Sequence, residues 1–186
     1  MINYNNKLES NNYRILTEQI NLTSNDLDTK STNQIVNLFS EADKEPQKSV
    51  EAAIPEIVSA IDEITERLKS NGRLFYIGCG TSGRIGVLDA SECPPTFCTH
   101  PELVQGIIAG GVPSLSRSSE SLEDVSEVAI TDLKDRNFSD RDVLIGITAS
   151  GRTPYVLGAL NYAKSLNALT ISISSVPYND SSLVND

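Results

Sequence analysis

Apolar residues fall into two kinds of pattern along this chain. From Gln47 to Lys69, Val50, Ile54, Ile57, Ile61, Ile64 and Leu68 recur at steps of three and four. That period predicts an amphipathic helix, bent or broken near Pro55, where the ring removes a backbone donor. Ser70-Asn71-Gly72 stops it. After Gly72 the apolar residues gather in short continuous runs instead. Such runs, bounded by glycine and polar residues, predict buried parallel strands over Arg73–Ile77, Leu103–Ala109, Asp142–Thr148 and Ala168–Ile173. Helix-like stretches lie between them: a short one at Gly83–Asp89, a region from about Leu115 to Lys134, and Pro154–Leu166. The segment Ala90–Pro101, with its paired prolines, predicts an irregular loop. Alternating strands and helices predict a three-layer α/β fold with a parallel sheet and right-handed crossovers.

The first 46 residues are different. Residues 1–30 are rich in Asn, Ser and Thr and predict an extended arm. Ser31 or Thr32 can cap a short helix with Ile35, Val36, Leu38 and Phe39 on its apolar side, ended by Pro46. Two divisions follow, 1–46 as arm and short helix and 47–186 as the α/β domain. Ser174–Asp186 reads as a polar loop with no closing element, so the expectation is a fragment or a truncated product.

One segment repeats. Ile77-Gly-Cys-Gly-Thr-Ser-Gly-Arg84 follows the first strand, and Ile145-Gly-Ile-Thr-Ala-Ser-Gly-Arg152 ends the third. A strand, a tight Gly/Ser/Thr loop and a helix start make an anion site, because first-turn N–H groups lack helix partners and the dipole favours negative charge there. The predicted phosphate ligands are Gly80, Thr81, Ser82 and Gly83 in the first loop, and Ser150, Gly151, Arg152 and Thr153 in the second. Gly78-x-Gly80-x-x-Gly83 also matches the dinucleotide fingerprint. However, the next strand ends in Ala109-Gly110-Gly111 without the acidic residue that a ribose needs. The repeat favours a phosphorylated small molecule over a dinucleotide or a mere tight turn.

Composition narrows the partners. The formal net charge is −10, which lacks the basic footprint of a nucleic-acid binder. The start of the chain has no signal-peptide pattern, and no run approaches a membrane span. Three cysteines, Cys79, Cys93 and Cys98, fit a reducing cytoplasm better than a disulfide framework. His100 is the sole histidine, and the spacing Cys93-x4-Cys98 leaves a four-ligand zinc set unfilled. His100 and Cys93 read as a surface residue and a small buried residue. The polar arm and the wide apolar stripe of residues 47–69 predict a homodimer.

Candidate acid–base groups remain. Glu92 lies within Ala90-Ser-Glu-Cys-Pro-Pro-Thr96, just past the first loop. A carboxylate held beside a bound phosphate is suited to proton transfer near neutral pH. Ser119-Glu-Ser-Leu-Glu-Asp124 offers a second carboxylate, and spacing alone does not choose between Glu120 and Glu123.

Residues 72–173 resemble the SIS (sugar isomerase) phosphosugar-binding fold. Gly78-Cys-Gly-Thr-Ser-Gly-Arg-Ile-Gly-Val-Leu-Asp-Ala-Ser-Glu-Cys-Pro-Pro-Thr-Phe97 and Ala149-Ser-Gly-Arg-Thr-Pro-Tyr-Val-Leu-Gly-Ala-Leu160 are similar to segments of N-acetylmuramic acid 6-phosphate etherases, a family related to glucokinase regulatory proteins. Leu16-Thr-Glu18, Leu27-Asp28 and Ile35-Val36 agree with that family's start. The resemblance implies a carbon–oxygen lyase. It would cleave the D-lactyl ether of N-acetylmuramic acid 6-phosphate to N-acetylglucosamine 6-phosphate and D-lactate, in cell-wall amino sugar recycling, with no metal or cofactor. It implies Glu92 as proton donor and Glu120 as second catalytic glutamate. Ser121-Leu122 and Val112 depart from the family's usual residues, and the family continues well beyond Asp186. A non-catalytic phosphosugar-binding regulator and a sugar-phosphate isomerase are the alternatives.

Overall fold

The computed structural model describes residues 17, 19–117, 121–177 and 180–183. The chain divides into two compact units, with the boundary after Ile61.

In the first unit, Leu22–Ser24 and Leu27–Thr29 form 3-10 turns where an extended arm was expected. Asn21 caps the first of them: its side-chain oxygen accepts from the Thr23 N–H. Helix α1 (Thr32–Ala42) starts at Ser31 with a full capping box: the Ser31 hydroxyl accepts from the Gln34 N–H, and the Gln34 side chain accepts from the Ser31 N–H. Helix α2 (Lys44–Ala52) follows after one residue. Pro46 therefore opens a helix instead of ending one. In the first turn its missing N–H costs nothing. The chain breaks again at Ala53, and α3 runs Ile54–Lys69 with Pro55 in its first turn. Val36, Phe39, Val50, Ile54, Ile57, Val58 and Ile61 are all exposed.

The second unit is a three-layer α/β sandwich. Strands β1 (Leu74–Gly78), β2 (Val104–Ile108), β3 (Val143–Ile147) and β4 (Leu169–Ile173) are all parallel, in the order β2-β1-β3-β4. Residues next to each other along a strand serve opposite faces. Phe75, Ile77, Ile107 and Leu144 pack under helices α6 (Ser126–Lys134) and α7 (Pro154–Ser165), against Ala129, Leu133, Tyr155, Val156, Ala159, Leu160 and Ala163. Leu74, Val104, Val143, Ile145 and Leu169 face the other way, toward Ala90 and Cys93 of helix α4 (Gly80–Phe97) and Ile64 and Leu68 of α3.

Three expectations change here. First, α4 is one continuous helix where a short helix and a loop were expected. Pro94 and Pro95 lie inside it, but only in its last turn. Their rings cancel only the hydrogen bonds that would reach back to Ala90 and Ser91. Cys98, in the left-handed conformation at φ 56°, closes the end by donating its N–H to Pro94 O at 2.9 Å. Second, the helical region beyond Leu115 is two pieces, α5 (Pro113–Ser116) and α6, separated by turns. Third, the segment after β4 is not simply a polar loop. Val176 and Ser181 are buried, and Asp180–Leu183 form a 3-10 turn.

Helix α4 sits unusually close to the sheet. A Cβ on Gly106 would come within 2.5 Å of the Val87 Cα, and one on Gly86 within 2.7 Å of the Tyr76 Cβ. Gly106→Ala meets helix backbone, which cannot rotate away. We expect it to lower stability by about 1–3 kcal/mol in urea unfolding, with the loss traced to α4 being pushed off β2.

At the opposite end of the sheet, Asp142 carries a dense hydrogen-bond set just before β3. It accepts from the Arg73 N–H at 3.0 Å and from the Arg73 guanidinium at 3.1 and 2.8 Å. It also accepts from the Ser139 N–H and hydroxyl. The guanidinium lies 4.9 Å over the Phe75 ring. Among the described residues no helix is long and apolar enough to cross a membrane.

Candidate functional site

The chain runs from β1 to β2 on one side, then returns to β3 on the other side of β1. The connections leave on opposite faces: α4 covers one and α7 the other. The crevice between the carboxyl ends of β1 and β3 is thus a topological switch point, the usual place for a ligand in an open parallel sheet. Gly78 and Ile147 are register partners there. The two repeated loops, 78–83 and 148–153, follow directly from them, so the sheet brings both predicted cradles side by side.

The loops are not equivalent. In the first, Gly80 turns the chain at φ 52°, and no side chain caps α4 at Cys79. Gly83 starts the helix bonding, donating to Cys79 O at 3.2 Å. Gly83 must also lack a side chain, since a Cβ would meet Gly78 O at 2.5 Å. Thr81 is exposed and Ser82 half-buried beside the first-turn N–H groups. The uncapped helix start has the geometry that an anion site requires.

The second loop is more occupied. Pro154 begins α7 without an N–H, and the Tyr155 N–H donates to Glu123 O at 3.0 Å. The Thr153 hydroxyl lies 2.9 Å from the Thr148 hydroxyl and donates to Glu123 Oε1 at 3.3 Å. Gly151 turns the chain at φ 72°, and its carbonyl accepts from the Ser181 N–H at 2.8 Å. Arg152 is paired with Asp180 at 3.1 Å. Ser150 accepts from the Arg152 N–H at 3.3 Å. Arg84, the matching arginine of the first copy, donates to Leu115 O and Arg117 O, and so fastens the segment after α5.

Of the two acidic candidates near residue 120, Glu120 lies outside the described residues. Glu123 is bonded into the second loop through Thr153 and through its own carbonyl. Sequence spacing leaves that choice open. The contact with Thr153 places Glu123 at the second loop. Cys79 also lies at this crevice. Burial pushes its thiol up to about 12, and the charges of Glu123 and Asp124 add to the shift. Cys79 is a neutral thiol at pH 7 and no nucleophile. Tyr155, just inside α7, donates to the Asp132 carboxylate of α6. Burial first, then Asp132, raises its hydroxyl above the usual tyrosine range. This bond, which the sequence did not reveal, fixes the start of α7 and with it the second loop.

Glu92 is placed differently. It is exposed on α4, twelve residues beyond Gly80. At 1.5 Å per residue that is about 18 Å along the helix from the first loop. Within one chain the structure does not bring Glu92 to the cradle that Gly80–Gly83 forms. His100 is exposed, with its Nδ1 accepting from the Glu102 N–H at 3.2 Å. No group of three His, Cys, Asp or Glu residues among those described is arranged to hold a metal.

The fold of this sheet recurs in solved sugar-phosphate isomerases. A phosphoheptose isomerase from Francisella tularensis superposes with a TM-score of 0.57 at 18% identity, covering 84% of this chain and 82% of that one. A phosphoheptose isomerase from Neisseria gonorrhoeae superposes with a TM-score of 0.55 at 16% identity, over 76% of this chain and 73% of that one. At such identities the likeness concerns the fold. Residues 56–164 match the family model of the glucokinase regulatory protein N-terminal SIS domain, and the chain belongs to that family. Curated relatives include proteins named N-acetylmuramic acid 6-phosphate etherase. One from Prochlorococcus marinus (strain NATL2A) is 82% identical over 174 residues, covering 94% of this chain and 56% of its own length. One from Synechococcus sp. (strain CC9902) is 56% identical over 163 residues, covering 88% of this chain and 52% of its own. The chain therefore spans about half the length of the curated relatives it matches.

Proposed function

We propose that this chain binds a 6-phosphosugar at the β1/β3 crevice and belongs to an activity that splits the D-lactyl ether of N-acetylmuramic acid 6-phosphate. The products are N-acetylglucosamine 6-phosphate and D-lactate. The observation that carries the reading is the pair of loops at one switch point with a carboxylate, Glu123, bonded into the second. The names of relatives at 82% and 56% identity favour the etherase over a regulator or an isomerase.

The chemistry needs two carboxyl groups. A base removes the C2 proton of the ring-opened sugar. An acid protonates the lactate oxygen as the C3–O bond breaks. Water then adds at C3 of the unsaturated aldehyde, and C2 regains a proton. We assign the base to Glu123 in place of Glu120, and the acid to Glu92. The phosphate sits on the N–H groups of Gly80–Gly83 with Thr81 and Ser82, and Ser150, Gly151, Arg152 and Thr153 complete the cradle. A soluble cytoplasmic homodimer serving cell-wall sugar recycling is the setting that fits this substrate.

Two measurements test the reading. N-acetylmuramic acid 6-phosphate should bind more tightly than the unphosphorylated sugar by at least about 2–3 kcal/mol, roughly 30- to 150-fold in Kd, since charge-assisted hydrogen bonds are the strong ones. It should also be turned over to D-lactate. Equal calorimetric affinity for the two sugars would remove the phosphate site.

A further inference from the structure

The hydroxyl of Thr153 is not where a threonine at a helix start usually puts it. Thr153 is the N-cap of α7, yet its side chain caps nothing in that helix. A threonine in that place ordinarily accepts a first-turn N–H. Here Pro154 has no N–H to offer, and the Tyr155 N–H goes to Glu123 O at 3.0 Å. The Thr153 hydroxyl turns instead toward Glu123 Oε1, at 3.3 Å, and the Thr148 hydroxyl, at 2.9 Å. One proton per hydroxyl sets the direction of these bonds, because a carboxylate oxygen only accepts. Thr153 directs its proton to Glu123, so Thr148 is the donor in the bond between the two threonines. Thr148 is well placed for that. It follows directly on β3, its N–H donates to Ile173 O of β4 at 3.0 Å, and it is 3% exposed. Its hydroxyl is thus a buried group on the rigid end of the sheet, whereas Thr153 lies across the turn that Gly151 makes at φ 72°.

From this geometry we infer that Thr148 is a positioning residue for the base: its buried hydroxyl donates to Thr153 and so keeps the Thr153 proton on Glu123. This rests on the reading of Glu123 as the group that takes the C2 proton. Thr148 touches no reacting atom and transfers no proton itself. What it fixes is a rotamer. Without its donor, Thr153 can turn back to the ordinary cap position over α7, and Glu123 loses the bond that aims it. Linked hydroxyls also polarise one another, which strengthens the bond to the carboxylate. Among the described residues Oε1 is the Glu123 oxygen that is bonded. That leaves Oε2 to take the proton from C2 and to return it there once water has added. The Tyr155 N–H holds the Glu123 carbonyl in the same way, with the Tyr155 hydroxyl anchored on Asp132. Glu123 is therefore held at two points by the start of α7, and Thr148 governs the one that reaches its carboxylate.

Two substitutions in the full chain separate this role from packing. Thr148→Val keeps the shape of the side chain and removes the donor. Thr148→Ser keeps the donor and removes a methyl group. The C2 exchange rate should fall about three- to tenfold in Thr148→Val, the range that one hydrogen bond supports. It should return to near the wild-type rate in Thr148→Ser. The loss should lie in kcat, with KM and phosphosugar Kd little changed. If Thr148→Ser is instead the more impaired of the two, Thr148 is a packing residue and the assignment falls. A loss carried equally by KM would mean that the whole loop has shifted, and would overturn it too. Thr153→Val should lower exchange as well, and adding Thr148→Val to it should change nothing more. Additive losses would show that Thr148 does not act through Thr153. A further measurement needs no turnover. The three-bond couplings from the Thr153 methyl carbon to its backbone nitrogen and carbonyl carbon report χ1. They should give one staggered rotamer in the wild type and Thr148→Ser, and a shifted or averaged one in Thr148→Val. Unchanged couplings in Thr148→Val would overturn the hold. If Glu123→Gln keeps C2 exchange, the reading of Glu123 as the base falls, and the couplings still decide whether Thr148 holds Thr153.

Discussion

Glu92→Gln is expected to lower the rate of lactate release by about 10²–10⁴ while leaving phosphosugar affinity nearly intact. Glutamine keeps the size of the side chain and most of its hydrogen bonding but cannot hand a proton to the departing oxygen. The loss should therefore appear in kcat with KM little changed. In the proposed mechanism, exchange of the C2 proton with solvent deuterium belongs to the other carboxyl group. It should persist in Glu92→Gln and vanish in Glu123→Gln. Following exchange and lactate release separately in the two variants gives a two-by-two pattern. Undiminished lactate release in Glu92→Gln would show the assignment to be wrong. The exposure of Glu92 on a regular helix also means that the substitution threatens no packing. A lost rate can then be read as lost chemistry.

Asp142→Ala is expected to cost about 3 kcal/mol of folding stability at pH 7, the lower end of what breaking a buried pair costs. The low end applies because the Arg73 side chain remains 27% exposed, whereas Asp142 is only 2% exposed. Burial by itself would raise the Asp142 carboxyl. The Arg73 guanidinium, with N–H donors from Ser139 and Arg73, outweighs burial and holds it below its ordinary 3.8. A depressed carboxyl stabilises the fold above its unfolded-state value. That contribution drains away as pH falls below 3.8 and through the lower folded value. Urea unfolding of the wild type and Asp142→Ala should thus show a full gap at pH 7 and a narrowing gap under acid. A gap independent of pH would mean that the ion pair is not its source. Asp142→Asn keeps acceptor capacity and should lose less than Asp142→Ala.

The strands and both loops were legible in the sequence because their signals are local. A short apolar run such as Leu74-Phe-Tyr-Ile77, bounded by turn residues and alternating with helical stretches, fits a strand of a parallel sheet covered on both faces, and the repeated Ser-Gly-Arg marks where each run ends. Helix α4 was misread from the same kind of local evidence. Two adjacent prolines ordinarily stop a helix. Here they fall where only two hydrogen bonds are at stake and where Cys98 closes the turn. The consequence reached the site, because Glu92 moved from a loop beside the cradle to a helix face far from it. The place of Glu123 was illegible for another reason. It is set by a contact with Thr153, thirty residues on, and no periodicity encodes that distance. Arg73 and Asp142 were overlooked likewise: each is an ordinary charged residue at a strand start, and only the register of β1 against β3 joins them.

On the proposed phosphosugar reading, the ion pair between Arg152 and Asp180 makes capture at the second loop an exchange instead of a new attraction. A phosphate that reaches this guanidinium must displace a carboxylate already there, so the gain is the difference between two anions. The displaced Asp180 belongs to the segment anchored by the Ser175 N–H on Ala149 O and the Ser181 N–H on Gly151 O. Added salt weakens the outgoing pair along with the incoming one. Arg152 therefore contributes less to the ionic-strength dependence of binding than a lone surface cation would. Tuning the grip of the second loop falls to the residue at 180 as much as to the arginine itself.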